Sequence, residues 1–136
     1  NKFDITFCCN VLLHLPTLNI PLKNLISTSK RYCIVRTLIS DKTHISKYLY
    51  SDTYDKKGNP KDFVYQNTYS YDYFEKITKS AGNYSIKFLN DEFNSHKINN
   101  EFNKFKKKQD AVTKVMNNVQ LAGSKVFQWK WAIIKK

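Results

Sequence analysis

Phe3-Asp4-Ile5-Thr6-Phe7-Cys8-Cys9-Asn10-Val11-Leu12-Leu13-His14-Leu15-Pro16 decides the reading of the fold. Phe3, Ile5 and Phe7 alternate with Asp4, Thr6 and Cys8, the period of two that a strand imposes on its side chains. The apolar side of that alternation predicts a buried strand over residues 3–9. Cys8 and Cys9, as sequence neighbours, then face opposite sides of the sheet. The apolar run Val11, Leu12, Leu13, Leu15 follows directly and stops at Pro16.

Downstream the period changes. Leu22, Leu25 and Ile26 recur at helical spacing within residues 18–29, with Pro21 near the helix start, where its missing N–H costs little. Cys33, Ile34, Val35 and Leu38 mark a second strand over residues 32–39. Strand, helix, strand predicts a parallel crossover unit, because parallel neighbours cannot be joined by a tight turn. Residues 40–69 are polar, carry the turn signal Lys57-Gly58-Asn59-Pro60, and hold Tyr48, Tyr50, Tyr54, Tyr65 and Tyr69. A segment this long inside a domain is functional or has minor structure of its own.

Ser70 is placed to cap the next helix, Asp72 lies in its first turn, Tyr73, Phe74 and Ile77 form its apolar stripe, and Gly82 stops it. Residues 84–89 alternate as a third strand. Ile98, Phe102, Phe105, Val112, Met116 and Val119 recur at spacings of three, four or seven, which predicts a helix docking one face on the core and ending at Gly123. The last strand spans residues 125–134, with Phe127, Trp129, Trp131 and Ile133 on one side, and a helix is expected over the tryptophans. No internal repeat is visible, so residues 1–136 read as a single, partial domain with a tyrosine-rich insertion.

The bulk properties narrow the function classes. The chain has 136 residues and a net charge of +12. Only Arg31 and Arg36 among its 23 basic residues are arginines. Phosphate and base-edge recognition favours the planar arginine fork, so the charge reads as a solvated lysine surface before it reads as a basic nucleic-acid-binding module. The run Lys104, Lys106, Lys107, Lys108 interleaves with Phe102 and Phe105 and would suit single-stranded nucleic acid, but both rings fall on the predicted helix's apolar stripe. Cys8, Cys9 and Cys33 form neither a disulfide framework nor a zinc grip. They read as small residues in a reducing, cytoplasmic compartment. No run approaches the roughly 20 apolar residues of a membrane span. Asn1 stands first with no charged-then-apolar leader behind it, so the chain reads as a fragment.

The opening stretch resembles the fourth strand of class I, Rossmann-like methyltransferases, in which a Phe-Asp-hydrophobic strand runs into a segment of the form Val-Leu-x-His-Leu-Pro. The downstream order is also similar: helix, fifth strand, substrate-side insertion, helix ending in Gly, then an antiparallel closing hairpin. The resemblance implies an α/β fold, the C-terminal half of such a sheet with flanking helices. In it the strand at 126–134 lies antiparallel beside the strand at 32–39 and also pairs with the strand at 84–89. It implies S-adenosyl-L-methionine as cofactor and a small-molecule methyl acceptor. The family's Gly-rich turn has no counterpart here, since Gly58, Gly82 and Gly123 are isolated. The ribose-binding acid is missing too, so the implied partner is the N-terminal half of the same domain. Cys9-Asn10-Val11 also lacks the Asn-Pro-Pro-aromatic signature of amino-methylating DNA enzymes.

In an open α/β sheet the ligand crevice lies beyond the carboxyl ends of the strands. By resemblance, Cys8, Cys9 and Asn10 would line the methionine end of the cofactor there; Asn10 alternatively caps the following turn. His14 is a candidate general base, because imidazole titrates near neutrality, and equally a packing or turn-bonding residue. His44, Tyr48 and Tyr50 fall on the expected acceptor side, where tyrosine offers a flat apolar face with a polar tip. His96 carries no assigned role, and no metal site is expected. A catalytically dead Rossmann-like interaction domain is the remaining alternative.

Overall fold

The structure, a computed structural model, describes residues 2–49, 51–92, 113–116, 119–122 and 125–136. β1 (Phe3–Cys9) and β2 (Ser29–Ser40) pair in parallel, from Phe3↔Ser29 to Cys9↔Arg36. Parallel pairing demands a crossover, and α1 (Asn19–Thr28) makes it, as the strand–helix–strand pattern predicts. A short 3-10 turn, Leu12–His14, buries Leu12 and Leu13 and joins β1 to that helix.

The insertion after β2 has structure of its own. β3 (Lys47–Leu49) and β4 (Phe63–Tyr65) form an antiparallel hairpin. The turn signal between them folds around Asp55, whose Oδ1 accepts the N–H groups of Lys57 and Asn59, each at 2.8 Å. Gly58 sits there at φ 81°, a conformation glycine adopts without steric cost. The Asn59 side chain, with these backbone N–H groups, holds the Asp55 carboxyl below the usual carboxylate range. β5 (Tyr69–Ser70) then returns to β2, pairing Ile39↔Tyr69 in parallel.

α2 (Tyr71–Ala81) starts where its cap predicts: Ser70 Oγ accepts the N–H of Tyr73 at 3.2 Å, with Asp72 in the first turn. It stops at Gly82, where a Cβ would run into the ring of Tyr84. β6 (Ser85–Asn90) follows. Later come a three-stranded antiparallel sheet, β7 (Thr113–Met116), β8 (Val119–Ala122) and β9 (Lys125–Phe127), and then β10 (Trp129–Lys135).

β10 is last of these in the chain but central in the sheet. It runs antiparallel to β2, from Trp129↔Leu38 to Lys135↔Tyr32, and antiparallel to β6, from Lys130↔Asn90 to Lys135↔Ser85. The order is therefore β1-β2-β10-β6, with β1, β2 and β6 parallel to one another. Both pairings of the last strand, and the parallel pairing of the first two, are as expected from the sequence.

One face of this sheet is covered. Cys8, Cys33, Val35, Ile39, Ala132 and Ile134 meet Leu22 and Ile26 of α1 and Phe74 and Ile77 of α2 in a single buried cluster. Phe74 lies edge-on to Phe88 of β6 at 6.0 Å between centroids. Each such side chain, fully removed from water, contributes roughly 1.5–3 kcal/mol.

Three expectations need correction. The first strand was expected to bury Phe3, Ile5 and Phe7, yet these are 63%, 56% and 58% exposed, and Cys8 is its buried residue. The alternation is real, but the helices pack on the opposite face. For the same reason neither α1 nor α2 covers Trp129 and Trp131. Met116 and Val119, expected on one helix, instead pair with each other across the β7–β8 hairpin. The remainder of that expected helix, including Ile98, Phe102, Phe105 and the lysines at 104 and 106–108, lies outside the described residues, as do His96 and Gly123. Among the described residues no helix is long and apolar enough to cross a membrane.

Candidate functional site at the carboxyl end of β1

β1 ends at Cys9, and Asn10 takes the left-handed conformation at φ 59°. Asparagine visits this region more readily than other residues with a Cβ, and here three contacts hold it. Its N–H donates to the Arg36 carbonyl at 3.0 Å. Its Oδ1 accepts Arg36 Nη1 at 2.6 Å and, more weakly, the Cys9 thiol at 3.6 Å. Asn10 thus ties the end of β1 to β2, while the cap position of the following 3-10 turn is Val11, with no side-chain bond.

Arg36 is fixed in turn. It lies in one row across the sheet with Cys9 on β1, Trp131 on β10 and Leu89 on β6. Its Nε donates to Asp91 Oδ2 at 2.8 Å, its Nη2 forms an ion pair with the same oxygen, and Asp91 Oδ1 accepts Trp131 Nε1 at 2.8 Å. Its guanidinium stands 4.3 Å from the Trp129 ring centroid and 5.9 Å from that of Trp131. Cation–π contact and a carboxylate together make a partly buried charge tolerable, with side-chain exposures of 16% for Arg36 and 15% for Asp91. Trp129 Nε1 donates to Gln120 Oε1 at 2.7 Å, so both indole N–H groups are satisfied.

The insertion is anchored to the same end of the sheet. Asn67 is fully buried; its N–H donates to the Leu13 carbonyl and its Nδ2 to the Leu15 carbonyl, both at 2.9 Å, while its Oδ1 accepts the N–H of Ser46 at 3.2 Å. Tyr69 donates its hydroxyl to the Leu12 carbonyl at 2.8 Å, and burial raises the pKa of that hydroxyl. His14 Nδ1 lies 2.8 Å from the Tyr65 carbonyl. A carbonyl only accepts, so Nδ1 is the donor in this contact. The ring thereby links the turn to the insertion.

The predicted residues separate accordingly. Cys9 and Asn10 are exposed and adjacent at the strand end. The Cys8 side chain turns into the helix-covered core, where burial raises its thiol pKa, so only its backbone remains for a ligand. His44 is exposed and exchanges two backbone hydrogen bonds with Thr68, at 2.8 and 2.9 Å. Tyr48 stands opposite Val64 in the hairpin, 41% exposed. Tyr50 lies outside the described residues. Arg36, Asp91 and Asn67 were not singled out from sequence as site residues, although Arg36 was conspicuous as one of only two arginines, and Trp131 was read only as a packing residue.

Chemically, the strand end offers an amide, a thiol and backbone at the mouth of a sheet, with a partly buried cation behind them. That donor set fits the polar, amino-acid end of a cofactor such as S-adenosylmethionine, and contains nothing that would hold its ribose. Among the described residues no group of three or more His, Cys, Asp or Glu could hold a metal ion. No protein-family model, curated protein or solved structure matches this chain.

Proposed function

We propose that this chain is the carboxyl-terminal half of a Rossmann-like methyltransferase domain and takes part in methyl transfer from S-adenosyl-L-methionine to a small-molecule acceptor. One observation carries the proposal: β10 runs antiparallel in the slot between β2 and β6, which are themselves parallel. Simple repetition of strand–helix units would add each new strand in parallel at an edge. A last strand that reverses and inserts is what the methyltransferase resemblance of the opening stretch implies.

When bound, the cofactor supplies a methyl group already activated on a sulfonium, so the protein's work is alignment and exclusion of water. On this reading Asn10 and Cys9 contact the methionine end. Arg36 and Asp91 hold that strand end rigid, and the insertion anchored by Asn67 and Tyr69 walls the acceptor side. The exposed Phe3, Ile5 and Phe7, on a strand paired only with β2 among the described residues, suit cover by the amino-terminal half of the domain.

Calorimetric titration of S-adenosylmethionine into this chain, and into the natural protein with the residues that precede it, tests the proposal. The chain alone should bind weakly or undetectably, because Asn10 and Cys9 cannot offset the roughly 4 kcal/mol or more lost in immobilising a ligand. The longer protein should bind measurably. Tight binding by the chain alone would show that the cofactor site is misplaced, and no binding by the longer protein would overturn the proposal.

A further inference from the structure

Arg36 carries donors and no acceptor, so the group Asn10 turns toward it can only be Oδ1. The amide is thereby locked in one of its two orientations. Oδ1 faces inward to the guanidinium, and Nδ2, an NH2 group, is left as the outward polar group of an exposed residue. Among the described residues Nδ2 donates to nothing. We infer that Asn10, oriented by Arg36 as its positioning residue, selects a ligand group that accepts hydrogen bonds and bears negative charge: a carboxylate.

The inference rests on the proposed cofactor reading and deepens it, by assigning Asn10 to the carboxylate of the methionine end rather than to its amine or its sulfonium. The surroundings agree in sign. Arg36 lies immediately behind the amide, and although Asp91 neutralises much of its charge, Asp91 reaches Nε and Nη2 while Asn10 takes Nη1. A cationic group arriving at Nδ2 would meet a donor, with the Arg36 guanidinium behind it. A carboxylate would gain a charge-assisted hydrogen bond.

The test uses the natural protein with its preceding residues and two titrants, S-adenosylmethionine and its decarboxylated form, which keeps the sulfonium and the amine. Asn10→Gly removes the amide, and Asn10→Asp replaces the outward donor by an acceptor. Both substitutes tolerate the left-handed backbone, and circular dichroism should show both folded. For S-adenosylmethionine, Asn10→Gly should weaken binding about tenfold and Asn10→Asp more. The decarboxylated ligand should bind the Asp variant at least as well as it binds the unsubstituted protein. Arg36→Lys, which loses the fork that orients the amide, should narrow the difference between the two ligands, an effect that general destabilisation would not produce. Equal losses for both ligands, or no loss, would overturn the inference. No binding of S-adenosylmethionine by the unsubstituted protein would instead overturn the reading beneath it.

Discussion

The two faces of the central sheet are made by the same strands and differ in what lies against them. On one, Val35, Ala132 and Ile134 are sealed beneath α1 and α2. On the other, Phe7, Ile34 and Ile133 share a row across β1, β2 and β10, and Phe7 is 58% exposed. The covered face is mostly apolar, with the buried Thr37 between Val35 and Ile39 as an exception. The open face changes character along their length: apolar in the middle, polar where Arg36, Asp91 and the two tryptophans meet, and closed beyond them by a small buried cluster of Leu13, Leu38 and Phe127 against Trp129. The larger buried cluster lies on the first face, and the proposed ligand site on the second.

The comparison breaks most visibly at Phe74. Its removal as Phe74→Ala empties the interface between α2 and the sheet and should cost about 3–5 kcal/mol in chemical denaturation. A loss under about 1 kcal/mol would mean that this face is not the core.

The covered face also carries a titration. Burial is the main reason the Cys33 thiol is pushed up from 9.0 to about 11, with Cys8 adding to the rise and Lys136 opposing it. The folded protein therefore holds this proton where the unfolded chain releases it. The corresponding stability is fully present below pH 9 and is lost as pH rises through about 11, a change on the order of 3 kcal/mol. Denaturant midpoints across that range should fall more steeply for the native protein than for Cys33→Ala. Parallel slopes would show that the thiol is less enclosed than the packing implies.

The smallest effect belongs to the open face. Phe7→Thr keeps a good strand residue and gives up one tilted ring contact with Trp131, 5.5 Å between centroids. It should cost about 1 kcal/mol or less in this chain. A cost near that of Phe74→Ala would mean that something already covers this face.

These contrasts also show what could be read from the residues alone. Ser70, Asp72 and Gly82 gave the limits of α2, because capping is local chemistry. Alternation showed that Phe3, Ile5 and Phe7 share a face. Which face is buried depends on elements that arrive later, and no period encodes that. Met116 and Val119 were read as helical by their spacing of three, which a two-residue hairpin also produces. The better signal was punctuation: Asn117-Asn118 separates β7 from β8, and Gly123-Ser124 separates β8 from β9, both turn-forming pairs between paired strands. At the candidate site Asn10 was legible from its place after a strand. Its dependence on Arg36 and Asp91 was not, because Arg36 lies 26 positions from Asn10 and Asp91 a further 55 beyond Arg36.

The position of β10 sets a timetable for making the protein. β2 and β6 leave the ribosome long before the strand that must lie between them, and until then each exposes an unpaired edge toward an empty slot. Closing that slot joins Lys135 to Tyr32 across most of the chain, a contact whose loop entropy is met only after synthesis has passed it. The half-made sheet is therefore the stage at which a foreign strand could take the vacant place, and the stage at which a chaperone would matter most.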